Sequence, residues 1–194
     1  MPTATRGPSR GADLSIPNLI TLARILLVPV VVWAITAGEM QIAFVLFLAA
    51  GISDAVDGFL AKRFAMATKL GAYLDPLADK AMLVSIYVAL GVTNAIPRWL
   101  VILVVSRDIM IVGAVILSWL VDHPVAMKPL MVSKLNTAAQ IVFAALKLAS
   151  LAIGFDAEPF LTIVLVLVVI LTLLSISAYL REWVRHMNSV EAGS

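Results

Sequence analysis

Long apolar runs separated by short polar breaks dominate this chain. A helix that crosses a bilayer needs roughly 20 apolar residues at about 1.5 Å rise each. Six segments meet that measure, at about 16–37, 40–62, 71–92, 96–121, 131–154 and 158–181. The breaks fall at Gly38-Glu39, residues 63–70, Thr93-Asn94, Asp122-His123-Pro124 and Gly154-Phe155-Asp156. Ser15 is placed to cap the first helix, with Pro17 in its first turn. Residues 1–14, rich in Pro, Gly, Ser, Thr and Arg, read as a disordered tail. The pattern predicts one transmembrane domain over 15–186, followed by a flexible tail at 187–194. The expected fold class is an all-α integral membrane protein of six transmembrane helices.

Composition agrees. Hydrophobic residues make up 62% of the chain and charged residues 13%, against roughly 45–50% and 25% in soluble domains. The chain has no cysteine, which excludes disulfides and thiolate metal sites. The first apolar run has no convincing small-residue cleavage site, so it reads as a retained helix. The cations fix an orientation. Arg6, Arg10, Lys62, Arg63, Lys69, Lys128, Lys134, Arg181 and Arg185 lie at one set of helix ends, and Arg98 alone at the other. By the positive-inside rule, both termini and the 62–70 and 122–134 loops face the cytoplasm.

Against this apolar background, four acids stand out. Asp54, Asp57, Gly58 and Ala61 are spaced i, i+3, i+4, i+7 and share one helix face; Gly71, Asp75 and Asp79 share another. Folding back at 63–70 brings the two faces together. Four carboxylates at close range repel, so a cation belongs among them. A hard divalent ion with oxygen ligands suits that set. Pairing with Lys62, Arg63 and Lys80 is the plainer account, but the ordered facial spacing exceeds what pairing requires.

Residues 54–79 read Asp-x-x-Asp-Gly-x-x-Ala-Lys, eight residues, then Gly-x-x-x-Asp-x-x-x-Asp. This resembles the signature of the CDP-alcohol phosphotransferases, with Lys62 where that family usually has Arg. The resemblance implies two Mg²⁺ or Mn²⁺ ions held by Asp54, Asp57, Asp75 and Asp79. It implies CDP-diacylglycerol as donor, an acceptor hydroxyl that attacks the β-phosphorus, and departure of CMP. Asp79 is then the candidate catalytic base. Gly58 and Ala61 leave room for a nucleotide, and Lys62, Thr68, Asn18 and Arg24 complete the expected nucleotide and diphosphate contacts. Pro17-Asn18-x-x-Thr21-x-x-Arg24 resembles the opening of the cardiolipin synthase and phosphatidylglycerophosphate synthase branches. For Arg24, snorkelling to the interface stands as the alternative.

Further along, Arg107-Asp108 sits inside the fourth segment, and Ser133, Asn136, Thr137 and Gln140 form a second polar face beside Lys134. Arg107, Ser133, Lys134, Asn136 and Arg181 are the expected acceptor-binding set. The alternatives are a structural Arg–Asp pair, helix-to-helix hydrogen bonding and, for Arg181, ordinary anchoring. His123 and His186 lack ligand spacing and read as solvated. These segments resemble cardiolipin synthases, which take phosphatidylglycerol as acceptor; glycerol-3-phosphate is the second choice. The family implies a homodimer among membrane lipids, in a bacterial inner membrane with its site toward the cytoplasm. An intramembrane prenyltransferase fits poorly, because only one composite aspartate motif is present. A divalent-cation transporter is a more distant alternative: its acids belong at the midplane and in both halves. Nothing supports nucleic-acid binding.

Overall fold

The computed structural model describes the backbone of residues 16–64, 69–120 and 131–191, and side chains over 19–56, 78–113 and 131–182. It forms six helices: α1 (Ile16–Thr36), α2 (Met40–Phe64), α3 (Lys69–Val92), α4 (Arg98–Leu120), α5 (Met131–Ile153) and α6 (Glu158–Glu191). Each expected apolar segment is one helix. α6 runs past the apolar stretch that ends near 181, because Arg181-Glu182-Trp183-Val184-Arg185 lowers hydropathy without breaking helical preference. The tail at 1–14, Thr68, His123 and Lys128 lie outside the described residues.

Tight turns join α1 to α2 and end α5. Gly38 and Gly154 adopt positive φ angles of 81° and 77°, the left-handed conformation that closes a helix C-terminus. After α1 the Gly38 N–H donates to the Ile35 carbonyl at 3.2 Å and the Glu39 N–H to the Ala34 carbonyl at 2.8 Å. These bonds satisfy carbonyls that the helix end leaves open.

α3 is central and packs against α1, α4 and α5. α1 also lies on α2, α2 on α5, and α6 closes against α5 and α4. Val31, Ile35, Ile86, Tyr87, Leu90, Leu100, Val104, Leu148 and Val168 are fully buried where these helices meet. Close approach is built into the α3–α4 contact: a Cβ at Gly91 would lie 2.6 Å from Val101 Cγ2.

The outer surface is as apolar as the core. Leu19, Leu22, Leu26, Val30 and Trp33 are exposed along α1, and Ile163, Val166, Leu167, Ile170 and Leu174 along α6. Water does not stabilise such faces; hydrocarbon does, and helices satisfy their backbone groups there. Among the described residues, Leu19–Thr36, Met131–Ile153 and Glu158–Glu182 are long and apolar enough to cross a bilayer. Among the described residues, α2 contributes a shorter apolar stretch, Met40–Val56. The protein is an all-helical integral membrane protein.

Candidate active site

The site is built where α1, α2 and α3 converge. Arg24 lies two turns into α1 and is 4% exposed. Its Nη1 donates to Asp54 Oδ1 of α2 at 2.6 Å and to Asp79 Oδ1 of α3 at 2.5 Å. One nitrogen thus ties both halves of the acidic motif to the first helix. Snorkelling does not describe Arg24, because the guanidinium is turned inward. Both carboxylates stay about half exposed, at 46% for Asp54 and 49% for Asp79. Asp57 follows Asp54 by one turn in α2, and Asp75 precedes Asp79 by one turn in α3. The side chains of Asn18, Asp57, Gly58, Ala61, Lys62 and Asp75 lie outside the described residues.

A cavity of about 280 Å³ opens beside these groups. Arg24, Asp54, Asp79, Lys80 and Thr137 form its polar wall; Phe47, Ala50, Met82, Leu83 and Ile141 form its apolar wall. Small residues on α2, Ala50 and Gly51, leave that space open. The combination suits an amphiphile with a charged head.

Lys80 does not pair with the described aspartates of the motif. Successive helical residues turn by about 100°, so Lys80 points away from the Asp79 direction and reaches α4. Its Nζ lies 2.9 Å from Asp108 Oδ1. Asp108 also accepts from Arg107 Nη1 at 2.5 Å. Arg107, 1% exposed, donates in addition to Ser133 of α5 and, at 3.0 and 3.2 Å, to Ser175 of α6. Arg107 and Ser133 are therefore brought together, with Lys80, Asp108 and Ser175 added. Ser175 precedes Arg181 among polar residues of the sixth segment, but its sequence position did not tie it to Arg107. Its approach to Arg107 becomes visible only when α6 is packed against α4.

The other expected acceptor residues separate. Asn136 is fully buried and accepts a hydrogen bond from Thr172 Oγ1 at 3.0 Å. Gln140 is buried beside Tyr87, whose hydroxyl donates to the Gln140 carbonyl at 3.1 Å. The second polar face thus divides: Thr137 meets the cavity, Ser133 meets Arg107, and Asn136 and Gln140 face the interior. Lys134 and Arg181 are exposed at the same end of the bundle, where α5 begins and α6 leaves the apolar region.

Among the described residues, Asp54 and Asp79 offer carboxylate oxygens, the donor type that hard divalent cations take. Carboxylate oxygens favour Mg²⁺ or Mn²⁺.

A family model for CDP-alcohol phosphatidyltransferase matches residues 14–183, from the start of α1 into α6. The chain belongs to the CDP-alcohol phosphatidyltransferase family. Among its relatives, the cardiolipin synthase (CMP-forming) of Rattus norvegicus is 33% identical over 165 residues, covering 77% of this chain and 55% of the relative. The human cardiolipin synthase (CMP-forming) gives the same figures. The CDP-diacylglycerol–glycerol-3-phosphate 3-phosphatidyltransferase of Bacillus subtilis is 31% identical over 177 residues, covering 83% of this chain and 91% of the relative. The chain spans about half the length of the cardiolipin synthases and most of the Bacillus protein. For a CDP-alcohol phosphatidyltransferase, the α2–α3 carboxylates beside a cavity with one charged and one apolar wall form the expected centre.

Proposed function

We propose that the protein is a phosphatidyltransferase of phospholipid synthesis: it moves the phosphatidyl group of CDP-diacylglycerol to an acceptor hydroxyl and releases CMP. The observation that carries this reading is the junction of Asp54 and Asp79 through Arg24 at the mouth of a two-walled cavity. Asp54, Asp57, Asp75 and Asp79 would hold two Mg²⁺ or Mn²⁺ ions. Bound there, the metals polarise phosphoryl oxygens and offset the charge on the leaving nucleotide.

The chain's own residues supply the rest. Asp79 accepts the proton of the acceptor hydroxyl; the freed oxygen bonds to the β-phosphorus, and CMP departs with the electron pair of the broken bond. Arg24 holds Asp79 and Asp54 in register. Gly58, Ala61, Lys62, Thr68 and Asn18 are proposed nucleotide and diphosphate contacts. Phe47, Met82, Leu83 and Ile141 offer apolar surface to the lipid beneath its head group. Lys134 and Arg181, the exposed members of the expected set, are proposed to receive the acceptor, with Arg107 and Ser133 bracing the helices; Asn136, fully buried against Thr172, does not face it. The site opens toward the cytoplasm of a bacterial inner membrane, with six spans, both termini cytoplasmic, and a homodimer as the working unit.

The first choice of acceptor is phosphatidylglycerol, which would make the product cardiolipin. Glycerol-3-phosphate is the second reading, favoured by the coverage of 91% of the Bacillus relative. Purified protein given CDP-diacylglycerol, Mg²⁺ and each of phosphatidylglycerol, glycerol-3-phosphate, inositol and serine separates them by lipid mass. Cardiolipin formation supports the first reading and phosphatidylglycerophosphate the second. Absence of CMP release with every acceptor overturns both.

A further inference from the structure

A second cavity, about 260 Å³, lies at the opposite end of the bundle from the acidic motif. Pro97 at the start of α4, Phe143 and Lys147 of α5, and Glu158, Thr162 and Leu165 of α6 line it. Lys147 sits about two turns from the end of α5, with only 16% of its side chain exposed. A partly buried cation gains from a close, hydrogen-bonded counter-charge that offsets the water it has lost. Lys147 lacks one among the described residues. Its ion-pair partner is Glu158, whose carboxylate stands 3.9 Å away and is 75% exposed. A contact that long and that open contributes little. Ionisable groups inside a membrane segment mark sites for polar ligands.

The ligand must be an anion small enough for this space. The cavity lies below the roughly 300–1,000 Å³ of sites that enclose a drug-sized molecule, so a whole lipid does not fit. A phosphate does, taking bonds from the Lys147 ammonium and the Thr162 hydroxyl. Outside the cavity, Ile153, Phe160 and Ile163 are exposed apolar side chains at the same end, positioned to meet acyl chains. We propose that this cavity binds the phosphate of a phospholipid from the leaflet opposite the acidic motif, with Lys147 as its counter-charge and Glu158 as a competitor for that charge. This site is independent of the transfer reaction.

The two charged residues make opposite predictions. Native mass spectrometry of delipidated protein with short-chain phosphatidic acid should show one more bound equivalent in the wild type than in Lys147→Gln. Glu158→Gln, which leaves the cation without its competitor, should bind at least as tightly as wild type, with a several-fold gain at low lipid. Diacylglycerol of the same chains should bind both variants like wild type, and inorganic phosphate at equal concentration should not displace the lipid. Equal phosphatidic acid binding in wild type and Lys147→Gln overturns the proposal. So does weaker binding in Glu158→Gln, which would make the pair a structural clasp, and so does displacement by inorganic phosphate. Should Lys147→Gln fail to fold, the Glu158→Gln arm decides alone.

Discussion

Arg24 is the side chain on which the motif's geometry turns. Its charge sits between two carboxylates that would otherwise repel. A charge-assisted hydrogen bond contributes roughly 1.5–3 kcal/mol, and less where partners are half exposed. Arg24→Ala should therefore lower the melting temperature in metal-free buffer. Added Mg²⁺ should narrow the deficit, because a divalent ion returns positive charge to the same place. Thermal unfolding in detergent, with and without Mg²⁺, measures both effects; a deficit indifferent to Mg²⁺ would separate Arg24 from the metal site. Asp79→Asn addresses the chemistry. As the proposed base it should lose turnover severely while CDP-diacylglycerol binding survives, and near-normal turnover would remove Asp79 from that role. Arg107 and Lys134 divide by burial. Arg107 is enclosed by Asp108, Ser133 and Ser175, so Arg107→Ala breaks a buried network and should cost about 3–5 kcal/mol of stability. Lys134 is exposed, so Lys134→Ala should leave stability nearly intact and raise the acceptor KM about 10–100-fold. Unchanged acceptor KM in Lys134→Ala would assign that lysine to membrane anchoring.

At the scale of elements, the helices follow from apolar length, and their ends from a few special residues. Gly38 and Gly154 close helices at positive φ, which explains why those breaks need so few residues. Gly91 acts differently, through space rather than conformation. Its missing side chain lets α3 and α4 approach until Val101 fills the place of a Cβ. Overpacking of this kind typically costs about 1–3 kcal/mol. Gly91→Ala should lower thermal stability accordingly, and Gly91→Ala with Val101→Ala should recover part of the loss. A single Gly91→Ala variant as stable as wild type would mean that the two helices separate freely. The bridge from Lys80 to Asp108 also belongs to this scale, since it joins α3 to α4 across the wall of the cavity.

For the molecule as a whole, charge among the described residues is distributed between the two ends of the helix bundle. The acidic motif, Arg24, Arg107, Lys134 and Arg181 gather toward one end, and Arg98, Glu158 and Lys147 toward the other. Reporter fusions after Ser194 and within 38–39 should accordingly lie on opposite sides of the membrane. The same side for both would refute six spans with cytoplasmic termini. Chelation tests the centre as a unit: removal of divalent ions should abolish CMP release, and Mg²⁺ or Mn²⁺ should restore it. Full activity in excess chelator would dismiss the metal-dependent reading.

The sequence alone determined the helices, the membrane solvent and the family. Each rests on information local in the chain: run length, helical spacing and a motif confined to 54–79. The juxtaposition of Asp54 with Asp79 was foreseeable as well, because their helices are consecutive and only a few residues apart in the chain. Contacts across greater separations were decided by tertiary structure. Spacing shows that Ser133, Asn136, Thr137 and Gln140 share a face, but not that the face meets three different surroundings. That depends on α2, α3 and α6 packing on α5 while Arg107 reaches Ser133 from α4. The facial spacing already argued against pairing of Lys80 with the acids beside it, but only the packing shows that helical rotation carries it to Asp108 on another helix. Arg24 reached its place because the helix that bears it packs on both α2 and α3. Nor did any pattern distinguish Lys147 from an ordinary residue of an apolar span; only the bundle's packing encloses its charge beside a cavity.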